Sequence, residues 1–452
     1  MSIHKPDMTP FKTLMHEQPA ETRVSNLSEV GLGYTIEQAI SEANRCMNCP
    51  ERYCAEQCPA HTTIPVFIEH IRAGDFEKAY EIIASTNPFA AIASRVCPYE
   101  NQCESACTRG IKHESVAIGR LERFVCDKHR MKGVDLLFAA PKSIGNVAVV
   151  GSGPTGLCCS LVLARAGVSV TVYEKADKPG GIMSWGIPTF VLPKGLLGDI
   201  IGELVSYGVR FRTGIELGRD IKLDDLHCQF DAVFLAVGAG SPIGFPAMDG
   251  QPGVMQAVDY LAAQSKPSVA RVVVFGDGGT AIDAARTALR AGTTEVTLAI
   301  WRTEKEIPAT QAELALAIKE GVKIVTLASP ARFISESGKL TGIECYKMVF
   351  NAPDYPGGFR NVIPSDERIL IGADLALIAF GFSNKPIEGV RLNAQNRIIV
   401  DEQYMTSISG VFAGGEAVTG PSALMKSAAI GMAAAESILQ FCHAGRNKDT
   451  VL

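Results

Sequence analysis

No stretch of the 452 residues reaches the roughly 18 uninterrupted apolar residues that a membrane-spanning helix needs. The opening MSIHKPDMTPFKTLMHEQ lacks the apolar run behind basic residues that marks a secretory leader. Positive charge is not in excess: 43 Lys and Arg stand against 48 Asp and Glu, a net charge of −5. That balance gives no footing for nucleic acid. There is no short-period repeat and no low-complexity tract. These absences describe an ordinary globular protein expected in the cytoplasm, with neither membrane nor nucleic acid as partner. With 47% hydrophobic and 20% charged residues, the chain is long enough for about three domains whose cores need no disulfide support.

What it has in unusual supply is clustered cysteine. Seven of its 13 Cys fall between Cys46 and Cys107. In a reducing compartment such clustering points to metal or redox chemistry. The first group is Cys46-x2-Cys49-x4-Cys54-x3-Cys58-Pro59; the second is Cys97-Pro98-x4-Cys103-x3-Cys107. C-x2-C pairs also bind zinc, but the C-x4-C-x3-C-P continuation resembles ferredoxin runs, in which the last Cys serves the other cluster. Two [4Fe–4S] clusters are therefore expected. One takes Cys46, Cys49, Cys54 and a distant Cys; the other takes Cys58 with the second group. Eight ligands are needed and seven Cys are clustered. Chemistry alone nominates Cys126 as the eighth, with Glu122, four residues earlier on one helix face, as the less common choice. Cys158, Cys159, Cys228, Cys345 and Cys442 read as ordinary free cysteines.

From Asn146 the texture changes. NVAVVGSGPTG is a buried strand entering a glycine turn, GLCCSLVLARAG a helix and VSVTVYEKA a second strand. The turn is Gly151-Ser-Gly153-Pro154-Thr155-Gly156, and Glu174 ends the next strand, 18 residues later. The first glycine permits the turn, the second admits a pyrophosphate, the third packs helix on strand, and the acid takes ribose hydroxyls. The pattern returns about 125 residues on at Gly276-Asp-Gly278-Gly279-Thr280-Ala281, with Ala in the third place and Arg302 after the next strand. Arg302 there suits a 2′-phosphate, favouring NADP. Neither motif is followed by C-x-x-C, which argues against a dithiol relay. TIEQAISEANRC and PVFIEHIRAGDFEKAYEIIAS carry apolar residues at helical spacing.

From about Val24 onward the chain resembles the small subunit of glutamate synthase and its relatives. Those include the N-terminal part of dihydropyrimidine dehydrogenase and the large subunit of the NADH-dependent ferredoxin:NADP oxidoreductase. The stretches that carry the resemblance are VGLGYTIEQAISEANRCMNCP, SRVCPYENQCESACTRG, VAIGRLERFV, VVGSGPTGL, PGGIMSWGIPTFVLPK, GDGGTAIDAARTAL and GVFAGGEAVTGPS, collinear over roughly 420 residues. It implies an α/β protein: a helical iron–sulfur domain followed by two Rossmann-like domains, an FAD domain with an NAD(P)H domain inserted. The expected division is an arm at 1–30, the cluster domain at 31–135, FAD parts at 140–262 and 373–452, and the NAD(P)H domain at 263–372.

The resemblance further implies one cluster on Cys46, Cys49, Cys54 and Cys107 and the other on Cys58, Cys97, Cys103 and Glu122. It puts FAD at Gly151, Gly153, Pro154, Thr155, Gly156, Glu174, Lys175, Gly181 and Gly238, with Gly415 and Glu416 near the flavin. NADP or NAD falls at Gly276, Gly278, Gly279, Thr280, Ala281 and Arg302. Three departures stand out. Trp301 replaces the first of two adjacent arginines, which leaves NADH open. Glu416 stands where the family has Asp. Cys126 replaces a small apolar residue.

The expected role is an electron-transfer subunit between NAD(P)H, FAD and two clusters, with no acid–base catalytic side chain. VAIGRLERFV looks closest to the transhydrogenase, so the leading expectation is an electron-bifurcating complex with flavoprotein or ferredoxin-like partners and ferredoxin as acceptor. The alternatives are the glutamate synthase input subunit beside its large subunit, a pyrimidine reductase input subunit, and a non-catalytic cluster scaffold or redox sensor.

Overall fold

The computed structural model describes residues 5–132, 144–244, 248, 250–351 and 361–449. The N-terminal body is helical. Its α1 (Ile36–Asn44) starts at Thr35, whose hydroxyl accepts from the Gln38 amide while the Gln38 side chain accepts from the Thr35 amide, a reciprocal cap that defines the helix start. PVFIEHIRAGDFEKAYEIIAS forms two helices, α2 (Ile64–Arg72) and α3 (Phe76–Ala84). Gly74 breaks the pattern at φ +79°, and the Asp75 carboxylate caps α3 by accepting from the Lys78 amide at 3.2 Å. Two more helices, α4 (Ala90–Val96) and α5 (Ile118–Met131), close a core that includes Phe67, Ile68, Leu121 and Phe124.

Two five-stranded sheets follow. The first contains β1 (Asn146–Val150), β2 (Ser169–Glu174), β3 (Arg210–Thr213), β4 (Ala232–Leu235) and the last strand of the chain, β13 (Val411–Ala413). Its order is β13-β4-β1-β2-β3, all parallel. The second contains β5 (Val254–Gln256), β6 (Arg271–Phe275), β7 (Glu295–Ile300), β8 (Lys323–Thr326) and β12 (Leu375–Ile378) in the matching order β5-β12-β6-β7-β8, again parallel. Near-continuous apolar strands such as NVAVV and RVVVF suit sheets covered on both faces. An antiparallel sheet of β9 (Ala328–Glu336), β10 (Lys339–Phe350) and β11 (Val362–Gly372) lies between β8 and β12 in the chain.

β5 and β12 extend the second sheet beyond the expected 263–372. Segments inside 140–262 and 373–452 hydrogen-bond into the second sheet, so that body reaches from about Val254 to Ile378. ADLALIAFGF is recognisable as a buried strand, but nothing local says which sheet it joins.

Four longer helices position the sites: α6 (Pro154–Arg165), α7 (Lys194–Ser206), α8 (Gly279–Arg290) and α10 (Leu424–Asp449); a shorter one, α9 (Gln311–Lys319), follows β7. Among the described residues no helix is long and apolar enough to cross a membrane. The helical body is not a loose appendage. Phe89, Ile92 and Ala93 share one core with Leu157 and Leu161 of α6 and with Ala434 and Ile438 of α10.

The segment read as an arm is docked. Arg45 and Glu42, a buried pair at 2.6 Å, clamp residues 9–13 onto the helical body. The Arg45 guanidinium donates to the carbonyls of Thr9 and Glu114, and Glu42 accepts from the amides of Thr13 and Ala117. Arg23, 2% exposed, reaches the second sheet's body. Its Nε lies 2.8 Å from Glu320 Oε1, and Arg286 and Arg290 approach the same carboxylate at 2.8 and 2.7 Å. Phe190, from the FAD side, lies against the Arg286 and Arg290 guanidiniums at 4.9 and 3.8 Å. Burial works to raise the Glu320 pKa, but hydrogen bonds from the two arginines outweigh it and hold the group at about 2. Its contribution is therefore complete above the ordinary carboxylate range and is lost as pH falls toward 2.

Glu320→Gln removes the carboxylate that three guanidiniums share and leaves Arg23 with Glu17 alone. We expect a loss of about 3–5 kcal/mol in denaturant unfolding and faster tryptic cleavage after Arg23. Unchanged stability and cleavage contradict the hub.

Candidate functional site

The seven clustered cysteines line two cavities. The first, about 400 Å³, is lined by Cys46, Cys49, Cys54 and Cys107 with Arg109 and Tyr53. The second, about 350 Å³, is lined by Cys58, Cys97, Cys103 and Glu122 with Asn87 and Tyr99. Ile64 and Ile118 border both cavities, and Met425 at the start of α10 borders the second. Among the described residues no three His, Cys, Asp or Glu side chains converge tightly enough for a single metal ion. Each donor set faces a space of its own.

The donor chemistry fits iron–sulfur clusters. Burial pushes Cys46 up to about 11 and Cys54 to about 12, and pushes Cys97 and Cys103 well above the usual thiol range. Unaided, these groups stay protonated; cationic iron makes the thiolates favourable. Glu122 is 7% exposed, and burial raises it to about 8. Its Oε1 accepts from Asn87 Nδ2 at 3.1 Å, too little to compensate a buried charge without a cation. Cys126 lies on the same helix but packs in the helical core and lines neither cavity.

The first glycine turn follows β1. Gly151 has φ +101°, and a Cβ there would sit 2.2 Å from the Ala236 carbonyl oxygen. A Cβ on Gly156 would sit 2.0 Å from the Gly151 oxygen, whereas Gly153 has nothing of the protein within 4 Å on that side. Two glycines are thus forced by packing, and the middle one keeps an approach open for a pyrophosphate at the N-terminus of α6, which begins at Pro154. Glu174 reaches back to accept from the Ser152 amide at 3.0 Å and from the Ser152 hydroxyl, which in turn accepts from the Gly180 amide. A Cβ on Gly181 (φ +53°) would lie 2.8 Å from Gly153 Cα, and one on Gly415 (φ +67°) 2.2 Å from Thr155 Oγ1. Residues far apart in the chain therefore converge on one turn. Glu416 accepts from the Ser422 amide and is raised by burial. Gly238 follows β4, and Lys175 is exposed just past β2. These residues fit FAD.

The second turn repeats the device after β6. Gly276 has φ +149°, and its Cβ would meet the Ala379 oxygen at 2.6 Å, while Gly278 is open. Gly279, Thr280 and the fully buried Ala281 form the first turn of α8. Arg302 Nε lies 2.7 Å from Asp277 Oδ2, and its guanidinium lies 3.9 Å from the Trp301 ring centre.

Several residues at these sites were not singled out from the sequence. Asp277 was visible as an acid inside a glycine motif. Lys194 and Asp283 had no local signal, because their attraction arises between segments far apart in the chain. Burial takes Lys194 down to about 8 and Asp283 up to about 8, despite their mutual attraction. The Lys194 ammonium donates to the carbonyls of Met183 and Ile187. Met425, which joins the second cavity to α10, was equally hidden.

Residues 23–134 match the family described as dihydropyrimidine dehydrogenase domain II, 4Fe-4S cluster, and residues 145–435 match pyridine nucleotide-disulphide oxidoreductase. The NADPH glutamate synthase small chain of Escherichia coli K12 is 32% identical over 452 aligned positions, covering 94% of this chain and 96% of that protein. The NAD-dependent dihydropyrimidine dehydrogenase subunit PreT of the same organism is 33% identical over 417 positions, covering 91% and 96%. FprA from Mycobacterium tuberculosis, solved in complex with NADPH, shares the fold at a TM-score of 0.57 and 19% identity over 68% of this chain and 86% of that one.

Of the two candidates for the eighth ligand, Glu122 borders the second cavity and Cys126 borders neither. Glu122→Ala is expected to lower iron and labile sulfide by about one cluster per chain, whereas Cys126→Ala keeps both. The reverse pattern in metal analysis of anaerobically purified protein contradicts the assignment.

Proposed function

Because the chain belongs to the pyridine nucleotide-disulphide oxidoreductase family, in the branch that carries an iron–sulfur domain in front, we propose that it is the electron-input subunit of a larger cytoplasmic redox complex. It is an FAD- and NAD(P)H-dependent oxidoreductase. When bound, FAD would supply hydride acceptance and the clusters one-electron transfer, chemistry that belongs to the cofactors.

The chain's own residues hold and order these groups. Gly151, Gly153 and Gly156 with Glu174 cradle the dinucleotide on one sheet; Gly276 and Gly278 do so on the other. The observation that carries the proposal is the order of the sites. The cavity of Cys58, Cys97, Cys103 and Glu122 touches the FAD domain at Met425, and the cavity of Cys46, Cys49, Cys54 and Cys107 shares only Ile64 and Ile118 with it. An inner and an outer station follow, with the outer one as the exit to a partner subunit. Relatives of this kind include a glutamate synthase chain and a dihydropyrimidine dehydrogenase subunit, and the partner is read as a chain that holds the final acceptor.

The helix VAIGRLERFV favours a second, finer reading, a bifurcating transhydrogenase-type complex with ferredoxin as one acceptor. It requires that ferredoxin reduction by the nicotinamide nucleotide depend on simultaneous reduction of a second, higher-potential acceptor; uncoupled reduction rules it out.

Cys107→Ser disables the outer station alone. We expect NAD(P)H to bleach the flavin at the normal rate while turnover with the partner or a protein acceptor falls to background. Normal turnover in that variant overturns the exit assignment. No flavin bleaching in the wild-type protein favours a non-catalytic scaffold.

A further inference from the structure

Neither the fold nor the family decides between NADH and NADPH. The two nucleotides differ at the 2′ position of the adenine ribose, which in this fold faces the end of the strand after the glycine turn. Here that strand is β7, in register beside β6 through Phe275 and Ala299. The residues after the two strands, Asp277 and Trp301-Arg302, are therefore side by side.

Arg302 is the cation placed directly after the strand for a 2′-phosphate, and it is already engaged. Its Nε lies 2.7 Å from Asp277 Oδ2. Its Nη1 donates to the Glu306 carbonyl at 3.3 Å, and its plane is held 3.9 Å from the Trp301 ring centre. Asp277 Oδ2 and Arg302 Nε are both buried, yet neither makes a well-aligned hydrogen bond. Their contact is a close charge pair.

Resting on the reading that residues 276–281 take the nicotinamide nucleotide, we infer that Asp277 sets the nucleotide choice by holding Arg302 on Trp301, which favours NADH over NADPH. A 2′-phosphate brings nearly two negative charges beside the Asp277 carboxylate and must draw Arg302 away from it. A 2′-hydroxyl asks for neither; it can donate to the same carboxylate. Asp277 is a specificity residue that acts through Arg302 as well as directly.

The test uses the holoprotein with a one-electron dye as acceptor. The wild-type protein is expected to show a higher kcat/KM for NADH than for NADPH, and 5′-AMP is expected to compete better than 2′,5′-ADP. Asp277→Asn keeps the shape and removes the charge. It is expected to raise the NADPH-to-NADH ratio of kcat/KM by about tenfold or more, through KM for NADPH with kcat little changed. Adding Arg302→Ala to that variant is expected to erase the gain, which a merely structural effect does not do. Trp301→Arg, which adds a cation that Asp277 does not neutralise, is expected to shift the ratio the same way. An unchanged ratio in Asp277→Asn with both nucleotides still oxidised overturns the inference, as does a wild-type preference for NADPH. If neither nucleotide nor either adenylate binds the wild-type protein, the nucleotide reading of this turn falls, and the inference with it.

Discussion

Buried sulfur and carboxylate ligands need a cation, and the N-terminal third of this chain is arranged around that requirement. Four thiols face one cavity; three thiols and Glu122 face another. Burial pushes the proton affinities of Cys46, Cys54, Cys97, Cys103 and Glu122 upward, so these donors take their working form only with iron present. The short helices, the Glu42–Arg45 clamp and the docked arm hold loops that carry ligands and little regular structure of their own. The same constraint explains why this body shares a core with the FAD domain: a cluster useful to a flavin has to lie close to it, and α10 with Met425 closes that distance.

The two nucleotide-binding bodies solve one problem twice. Each has a parallel sheet, a glycine turn at the end of its central strand and a helix aimed at the turn. In each, the first glycine lies where a Cβ would strike backbone and the middle one faces open space. They differ in what stands beside the turn. Glu174 is tied to Ser152 and the Gly180 loop, while Asp277 holds a guanidinium. The bodies are joined at a seam where Glu320 gathers arginines from the arm and from α8, and where Phe190 inserts from the FAD side.

Much of this was legible because it is local. Cysteine spacing and strand–glycine–helix order depend on neighbours in sequence, and the structure brings the named residues together. Glu122 was reached through resemblance, since spacing alone left Cys126 equally placed. The split of PVFIEHIRAGDFEKAYEIIAS turned on one glycine at positive φ within a continuous apolar pattern. The sheet membership of β12, the mutual attraction of Lys194 and Asp283 and the Glu320 hub stayed hidden because each is made by segments tens to hundreds of residues apart.

The central claim is that one chain holds a flavin and two clusters in series and delivers electrons to a partner. The direct measurement is anaerobic purification from the cells that make it, with flavin, iron and sulfide analysis and mass spectrometry of whatever accompanies the chain. The account predicts about one FAD and about eight iron and eight sulfide per chain, together with a stoichiometric second polypeptide. Zinc in place of iron, or a chain that isolates alone with its full complement of cofactors, contradicts it.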